Sequence, residues 1–449
     1  MPVEHRQRRS VSRGSHAFSQ HVAKRRKGLT MRSGYRCVDR TRRLAWEVAI
    51  SVQLVAGTSF AAGIEDPTGR GTDDNSVLKP YAAFDIGHDS NVLRLPNITG
   101  SQAIGAGSSL SDTWQKIAAG FALDEKFSEQ RLLADVDVAK WDFDRLEQLD
   151  HYDKNADVIW KWHTAENFDG NLGATYQEAL APYIDFHLLE RNLRTQESEF
   201  ADGSWLFDPR WRVRAGYTSF HVIYDLASQK PEDRTEERAE LGFDYIALSG
   251  SNVGVQLRHI TAYFPTPQQV GAVTVGNNYA QDEVKAKIDW VFSAITQFHF
   301  LGGWVRRRYD EFDVRDYSGP NARLSADWSP TRRLAINIAS WREIESVDDL
   351  TAAFSLNHGS SAGLKWDISE RFQAQADYKY ERQNFSQAAT IGAAPFLADA
   401  IRNASLMLTY KPTRKMSMQT TIARLLQHQF DPSSGFASNS IFFRCRYDF

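Results

Sequence analysis

The chain has 449 residues, a formal net charge of −3, a mean hydropathy of −0.47, and contents of 42% hydrophobic and 12% aromatic residues. No stretch of about 18 uncharged apolar residues follows residue 62, which excludes a helical membrane protein. The composition leaves a transmembrane β-barrel open, because barrel strands alternate apolar with polar side chains and average to a hydrophilic sequence.

The first 61 residues are basic and then apolar. A region rich in arginine and lysine, including Lys24 to Lys27, precedes the segment LAWEVAISVQLVAGTSFAAG. This order of a basic region, a short apolar core and small residues is typical of a signal peptide, here with cleavage after Ala61. We expect an exported protein whose translation starts at Met31 and whose residues 62–77 form a periplasmic linker. A basic tail that binds a partner is the alternative.

Removal of residues 1–61 changes the charge of the chain. It takes away 13 of the 53 basic residues and 3 of the 56 acidic residues, so the remainder carries 40 minus 53, or −13. Such a charge argues against nucleic acid as a partner, because phosphates would be repelled. Of the two cysteines, Cys37 lies in the removed segment and Cys445 remains alone, so we expect neither a disulfide, a cysteine metal site nor a cofactor.

Short turn sequences recur at intervals of roughly 35 to 45 residues, which suits units of two long strands. They are FSEQR at 127, NFDG at 167, DPRW at 208, SGSN at 249, SAITQ at 293, SPTRR at 329, ISERF at 368 and KPTRK at 411. Between them lie longer polar connections, namely RLPNITGSQAIGAGSS, DRLEQLDHYDKNA, TPQQVGAVTVGNN and FDPSSGFASN. Short turns on one side and long loops on the other are typical of outer-membrane barrels, in which the short turns are periplasmic.

The sequence therefore predicts an all-β fold, a single antiparallel up-and-down transmembrane barrel of about 18 strands over residues 78–449. The first strand is expected near 80–95 and the last near 438–449. The sixth strand, within 185–207, is needed to keep the number even. A soluble secreted sandwich or propeller is the alternative, but it would bury its second face, and here many second faces are ionic.

Clean alternation assigns the faces of several strands. In EVKAKIDWVF and RFQAQADYKYE the outward side chains are Val284, Ala286, Ile288, Trp290, Phe292, Phe372, Ala374, Ala376, Tyr378 and Tyr380. A charge on the lipid face costs about 2 to 4 kcal/mol near the midplane, so the charged face should be wet. The predicted lumen-lining residues are Asp157, Lys161, Arg212, Arg214, Glu283, Lys285, Lys287, Asp289, Arg371, Asp377, Lys379, Glu381, Arg444 and Arg446.

The chain ends in SIFFRCRYDF, which alternates to a terminal aromatic residue. Its apolar face would meet lipid and would place Phe449 at the periplasmic interface, where aromatic rings are favoured. The ending, with Tyr447 and Phe449, resembles the signal by which bacterial outer-membrane barrels are recognised for assembly. We therefore expect a Gram-negative outer-membrane location, with outer-membrane lipid and the barrel-assembly machinery as partners.

The segment YAAFDIGHDSNVLRLPNITG, with Asp89, Asn91, Arg94, Leu95 and Pro96, resembles the first strand of EpsL-type outer-membrane proteins. These belong to a wider group of β-barrel porins and occur beside exosortase and exopolysaccharide genes. DPRWRVRAGY and the turns SPTRRL and KPTRKM are also similar to that family, and the similarity runs from about residue 78 to the end. The resemblance implies a role in the export or assembly of extracellular polysaccharide, with polysaccharide and other envelope export components as partners, and it implies no catalytic residues.

Three functional hypotheses remain after this. The first is a channel for polysaccharide export, and the second is a general diffusion porin or a structural barrel. A loop folded into the lumen would favour the porin, and the candidates are residues 185–196 and 265–279. The third and most remote is a lipid hydrolase, since His358 and Ser360 fall on one face of a strand. No Gly-rich phosphate loop and no HExxH motif occurs in the sequence.

One aromatic residue and the inward charges each have two interpretations. Trp341 in NIASWRE lies on the inward side, where it could stack on sugars, or in an aromatic girdle at the membrane interface. The inward charges could select solutes, or they could be ion pairs between neighbouring strands that fill a lumen with little conduction.

Overall fold

A computed structural model gives the structure of residues 77–164, 167–184, 189–270, 273–311, 313–346, 352–387, 398–429 and 435–449. The barrel strands are β1 (Leu78–Asp89), β2 (Asp112–Phe127), β3 (Gln130–Phe143), β4 (His151–Thr164), β5 (Phe168–Leu180), β6 (Leu193–Asp208), β7 (Trp211–Tyr224), β8 (Arg234–Ile246), β9 (Asn252–Tyr263), β12 (Tyr279–Ser293), β13 (Thr296–Tyr309), β14 (Tyr317–Thr331), β15 (Leu334–Glu345), β16 (Ala352–Asp367), β17 (Phe372–Gln387), β18 (Ala398–Tyr410), β19 (Met416–His428) and β20 (Phe436–Asp448). A small hairpin of β10 (Gln268–Val270) and β11 (Val273–Val275) lies between β9 and β12.

Helical structure within these residues is short. One α-helix, α1 (Ile98–Ala103), follows β1, and 3-10 turns cover Glu147–Leu149, Ala227–Glu232 and Asp313–Arg315. Asn97 caps α1, since its side chain accepts a hydrogen bond from the backbone N–H of Gly100. No described helix has the length and apolar character needed to cross a membrane.

The 18 strands form one closed antiparallel ring. Each strand pairs with its neighbours in sequence, β9 pairs with β12 past the small hairpin, and β20 pairs with β1 to close the ring. Closure removes the unpaired strand edges that a lipid environment cannot satisfy. The predicted fold and strand number are confirmed, and β6 is the sixth strand that the even count required.

All eight predicted short turns lie between consecutive strands, and the strand ends opposite to them are joined by the longer connections. Three predicted boundaries differ. β1 ends at Asp89 rather than near residue 95, β4 takes residues 151–156 from the expected connection DRLEQLDHYDKNA, and β20 begins at Phe436. β4 and β20 are longer than predicted for the same reason. Their polar residues continue the strand pairing above the apolar band, where water replaces lipid, so polarity alone does not mark the end of a strand.

The outer face of the barrel is apolar. The predicted outward residues Val284, Trp290, Phe372 and Tyr378 are 55%, 49%, 50% and 46% exposed, as expected for side chains that contact lipid rather than protein. Near the short turns this face carries contacting aromatic rings, such as Phe372 with Tyr410 at 4.6 Å between ring centres. Aromatic belts of this kind mark a membrane interface.

The C-terminal residue lies at the same end of the barrel. The backbone N–H of Phe449 donates to the carbonyl of Pro80 at 2.9 Å, and the Phe449 ring meets that of Tyr447 edge-on. Phe449 is 64% and Tyr447 is 44% exposed on the outer face. Their role as an assembly signal stays a prediction. The expected signal peptide, the start at Met31 and residues 62–76 of the linker lie outside the described residues.

Candidate functional site in the barrel interior

The predicted inward side chains are on the face opposite to the exposed apolar residues, with one exception. Glu283 and Lys285, for example, are only 4% and 5% exposed, whereas Val284 between them is 55% exposed. Arg371 is the exception, because it lies in the turn before β17 and its carbonyl accepts a hydrogen bond from the N–H of Lys411. The other thirteen lie on strands, facing the interior of the ring. That they line a water-filled pore stays a prediction.

One inner ion pair joins β7 to β8. Asp244 is fully buried and accepts hydrogen bonds from Arg212 Nη2 and Arg214 Nε, both at 2.7 Å from its Oδ2. Two glycines make room for it: a Cβ at Gly254 would lie 2.3 Å from Asp244 Oδ1, and a Cβ at Gly242 would lie 2.6 Å from Arg214 Nη2. Charges held this way stabilise the wall, and the two arginines with one aspartate leave one net positive charge at this point of the interior.

A second network continues around the wall through β8, β9 and β12. Arg258 of β9 contacts Glu240 at 2.5 Å and Glu283 at 3.4 Å, and Glu283 also contacts Lys285 at 2.7 Å. The four side chains bridge three adjacent strands with alternating charge. Of the two interpretations of the inward charges, these residues fit the one in which ion pairs link neighbouring strands.

The wall at β3 and β4 is different, because its carboxylates lie close to one another. Asp135 is directly opposite Asp157, and Asp137 is directly opposite Asn155, which donates to it at 3.2 Å. Like charges directly across two strands are destabilising, and among the described residues no basic side chain pairs with Asp157. Nowhere in the described part of the chain is there a group of His, Cys, Asp and Glu side chains suited to holding a metal ion. This wall therefore carries a local excess of negative charge.

Trp341 lies on the inner face of β15 and not in the aromatic girdle. It is 6% exposed, and its Nε1 donates to Glu381 Oε2 at 2.9 Å. The indole lies against the backbone of Gly359, where an added Cβ would approach its ring to 2.3 Å. Lys379 and Arg323 lie 5.5 Å and 4.8 Å from its ring centre. These neighbours cover the ring, which argues against Trp341 as a stacking surface for sugars.

The residues that carry the family resemblance form a clip at the long-loop end of β1. Arg94, which has a positive φ of 56°, donates from Nη1 to Asp89 at 2.9 Å and to Ser438 of β20 at 2.7 Å. Asn91 donates to the carbonyls of Leu95 at 2.7 Å and Ala437 at 3.2 Å. These contacts bind the β1–β2 connection to β20, so the residue pattern is explained by loop anchoring at the barrel seam.

An apolar cluster, here called the mouth cluster, lies inside the ring at this end. It holds side chains from β2, β3 and β20 together with residues of three connections: Leu93, Leu95, Ala106, Trp114, Trp141, Phe143, Leu146, Leu149, Tyr183 and Phe442. The sequence contained a signal for part of it, because Trp141 shares the inner face of β3 with Asp135 and Asp137. An aromatic residue on a polar face has no lipid to contact, so it predicts something packed inside.

The β5–β6 connection extends into the mouth. Its Tyr183 is 3% exposed in the mouth cluster, and its Ile184 is 7% exposed and packs with Ile401, Leu425 and Phe436 of β18, β19 and β20. Strands β5, β4, β3, β2, β1, β20, β19 and β18 follow one another around the ring, so seven pairings separate the two ends of this contact. Residues 181–184 of the connection must therefore reach across the interior at the long-loop end of the barrel.

The two candidate constriction loops can now be compared. Residues 185–188 of the first lie outside the described residues, and its last four belong to β6, but the adjoining Tyr183 and Ile184 make the crossing described above. The second, 265–279, is fixed to the β13–β14 connection through Arg315, which donates to the carbonyl of Gly276 at 2.8 Å and to Asn277 Oδ1 at 2.6 Å. Burial among apolar and aromatic groups lowers the pKa of the Arg315 guanidinium.

His358 and Ser360 lie together on the outer face of β16, with Ser360 exposed. Asn384 of β17 lies 3.3 Å from His358 Nδ1, within reach of an amide that orients the ring. Among the described residues no hydrogen bond joins Ser360 to His358, and Arg342 and Arg382 lie directly opposite His358 on both sides. The pair therefore lacks the nucleophile and base contact that would mark a catalytic site.

The closed 18-strand ring, the lipid-facing apolar band and the ionic interior define a porin-like β-barrel of the outer membrane of a Gram-negative bacterium. Residues 283–449 match a family model described as "Putative beta-barrel porin 2". That match covers the second half of the barrel, from β12 to the C-terminus. No curated protein matches the sequence.

Solved outer-membrane barrels resemble the structure at low sequence identity. OccAB3 of Acinetobacter baumannii has a TM-score of 0.42 at 10% identity, with 83% of this chain and 99% of that chain covered. OccK2 (OpdF) of Pseudomonas aeruginosa has a TM-score of 0.45 at 8% identity, covering 83% and 98%. The siderophore receptor PirA of Pseudomonas aeruginosa has a TM-score of 0.38 at 9% identity, covering 83% and 80%.

Proposed function

We propose that the protein is a diffusion porin for small polar solutes, with a pore narrowed at its extracellular mouth by the β5–β6 connection. The observation that carries this is the burial of Tyr183 and Ile184 inside the ring, against strands on the far side of the mouth. Barrels of 16 to 18 strands leave an aqueous lumen, and an inward-folded segment reduces its width. Size, rather than a dedicated binding site, would then decide which solutes pass.

The inner wall supports passage of hydrated polar molecules. Most of its charges are paired, as in the contacts of Asp244 with Arg212 and Arg214, so it offers fixed dipoles to a passing solute. The carboxylates of Asp135, Asp137 and Asp157 add negative charge on one side. This wall favours polar solutes in general and cations modestly.

Swelling of proteoliposomes tests this proposal. Protein reconstituted into liposomes is diluted into isotonic solutions of a pentose, a hexose, a disaccharide and a tetrasaccharide, and the rate of swelling is measured. We expect rapid entry of the pentose and a steep fall in rate with size. Heat-modifiable migration in a gel shows whether the reconstituted protein is folded. If folded protein excludes every solute equally, the result would instead indicate a structural barrel.

The export or assembly of extracellular polysaccharide, which the family resemblance implies, is a separate hypothesis. The residues that carry the resemblance, Asp89, Asn91 and Arg94, bond mainly with one another and with β20, and this is compatible with any barrel function. The hypothesis requires that a strain lacking the gene release less exopolysaccharide and that complementation restore it. Unchanged release of exopolysaccharide would reject this hypothesis and leave the diffusion porin as the remaining function.

A further inference from the structure

The outer face of the barrel has a charge asymmetry that the pore does not explain. Five of the strands from β13 to β19 carry, towards the extracellular end, an outward arginine that makes no ion pair with the described residues, here called the arginine belt: Arg306, Arg342, Arg382, Arg402 and Arg424. A further outward arginine of β13, Arg308, pairs with Asp282 of β12 and is not counted. Among the described residues of β13 to β19 the outer face holds no aspartate or glutamate. Four of the five guanidinium groups are exposed, and Arg342 is half-buried.

The belt lies within a narrow range of depth, eight to ten residues from the strand ends at the short turns, and Arg306 is ten residues from the start of β13 at Thr296. Arg342 is eight residues from the start of β15 at Leu334, and Arg402 is eight from the end of β18 at Tyr410. Arg424 is eight residues from the start of β19 at Met416, and Arg382 is ten from the start of β17 at Phe372.

This depth corresponds to the outer lipid headgroups. Eight residues extend about 26 Å along a strand, or about 20 Å across a membrane at the usual tilt, and an arginine side chain extends further. That distance equals the height of the apolar band within a few ångströms. The guanidinium groups therefore lie where the acyl chains end and the headgroups of the outer leaflet begin.

The described residues offer these charges few partners. Arg342 donates to the hydroxyl of Tyr317 at 3.0 Å and to the carbonyl of Pro320, and Arg402 lies 5.8 Å from the ring of Tyr380. Neither contact neutralises a charge, whereas Arg306 lies directly opposite the outward Asp282 of β12. Arg342 and Arg382 also lie directly opposite His358 from its two sides, so basic groups are neighbours across three strands. The two arginines are themselves two strands apart, so one anion placed between them would be attracted to both.

The far side of the ring carries the opposite charge at the same depth. Glu199 of β6 is nine residues from the strand end at Asp208, and Glu237 of β8 is nine from its end at Ile246. Both face outward and are exposed. The asymmetry is therefore a property of one sector of the barrel and not of the whole rim.

We propose that the arginine belt binds the phosphate groups of the phosphorylated glycolipid of the outer leaflet, so that lipid is held on one sector of the barrel. Arginine presents a planar fork of N–H donors that matches phosphate, and the described residues of β13 to β19 place no lysine on the outer face. The outward residues below the belt, such as Ile422 and Leu406, then contact the acyl chains of the same lipid.

Native mass spectrometry of the purified full chain in detergent, after removal of co-purified lipid, tests this directly. The probes are lipid A with both phosphates and the same lipid A after dephosphorylation. We expect the phosphorylated form to be retained several-fold better by the natural protein. The variant Arg382→Gln/Arg402→Gln/Arg424→Gln should retain it no better than the dephosphorylated form, and the corresponding Arg→Lys variant should fall between the two.

The matched control is Glu199→Gln/Glu237→Gln, which alters charge at the same depth on the far sector and should leave retention unchanged. Equal retention of both probes by the natural protein, or undiminished retention by the Arg→Gln variant, overturns the proposal. A loss of oligomer mass in that variant without a loss of lipid would make the belt an interface between copies and overturn it as well. If the triple variant does not fold, Arg402→Gln alone should lower retention about twofold, and no change would reject the idea.

Discussion

Arg444 of β20 and Asp85 of β1 form a two-fold hydrogen-bonded ion pair across the seam that closes the barrel. Arg444 Nε and Nη2 lie 2.8 Å and 2.7 Å from the two oxygens of Asp85, which is 2% exposed. The two residues are directly opposite in the ladder between the first and last strands. The seam is thus fixed by a contact between residues 359 positions apart in the chain.

Loss of one partner should weaken the seam. Arg444→Gln leaves the buried Asp85 carboxylate without its charge partner, and we expect a loss of about 1–3 kcal/mol in the free energy of unfolding. Asp85→Asn/Arg444→Gln should lose less than the single variant, because no buried charge is left unpaired. Urea unfolding of the refolded barrel in detergent measures both. Lys140→Gln, which breaks the exposed pair with Asp142, serves as a control and should change nothing. A seam variant as stable as the natural protein would show that Asp85 is hydrated.

The carboxylates on β3 and β4 should give the pore a modest preference for cations. Asp157→Asn removes a charge that has no basic partner among the described residues, so the reversal potential in a salt gradient should move towards anions. The control is Asp282→Asn on the outer face, where the carboxylate contacts His259 and Arg308. Planar bilayer recordings measure both variants. Equal shifts in the two variants, or none in Asp157→Asn, would show that this wall does not face the permeation path.

Much of the fold follows from short-range patterns. Period-two alternation and eight turn sequences are local properties, so the strand number, the short turns and the outward faces of β12 and β17 could be predicted. Even Arg444 and Arg446 could be assigned to the inner face of β20, because the alternation there runs to the last residue.

The interior could not be predicted in the same way. The apolar cluster of Ile184 with Ile401, Leu425 and Phe436 joins residues far apart in the chain, and nothing local to any of them indicates the others. Asp244 and its two arginines likewise depend on the register of β7 against β8, which fixes which inward charges meet. The alternation continues through Arg371 and predicts a strand residue there, whereas in the structure the turn extends to this residue.

Cysteine labelling tests the assignment of faces. With Cys37 and Cys445 replaced by serine, Lys287→Cys and Asp377→Cys should react with a charged maleimide added in water. Ile288→Cys and Tyr378→Cys are the matched controls one residue away, and they should react only with a lipid-soluble reagent. A shift of one residue exchanges the two faces completely, so the reversed pattern would contradict the register of β12 and β17.

The β5–β6 connection should limit conductance. Ile184→Ser removes the apolar contact with Ile401, Leu425 and Phe436, and it leaves a hydroxyl that water solvates better than this cluster does. The connection should then spend more time away from the mouth, and single-channel conductance in planar bilayers should rise with more open-state noise.

Val273→Ser is the matched control for this variant. It makes a similar apolar-to-polar change in the other long connection, at a residue that is 43% exposed, and should leave the conductance as it is. Folding of Ile184→Ser is verified by heat-modifiable migration. If the folded variant has the same conductance as the natural protein, the crossing segment does not set the width of the pore. The restriction would then have to come from the inner wall, where the covered ring of Trp341 and the paired charges around Glu283 and Asp244 lie.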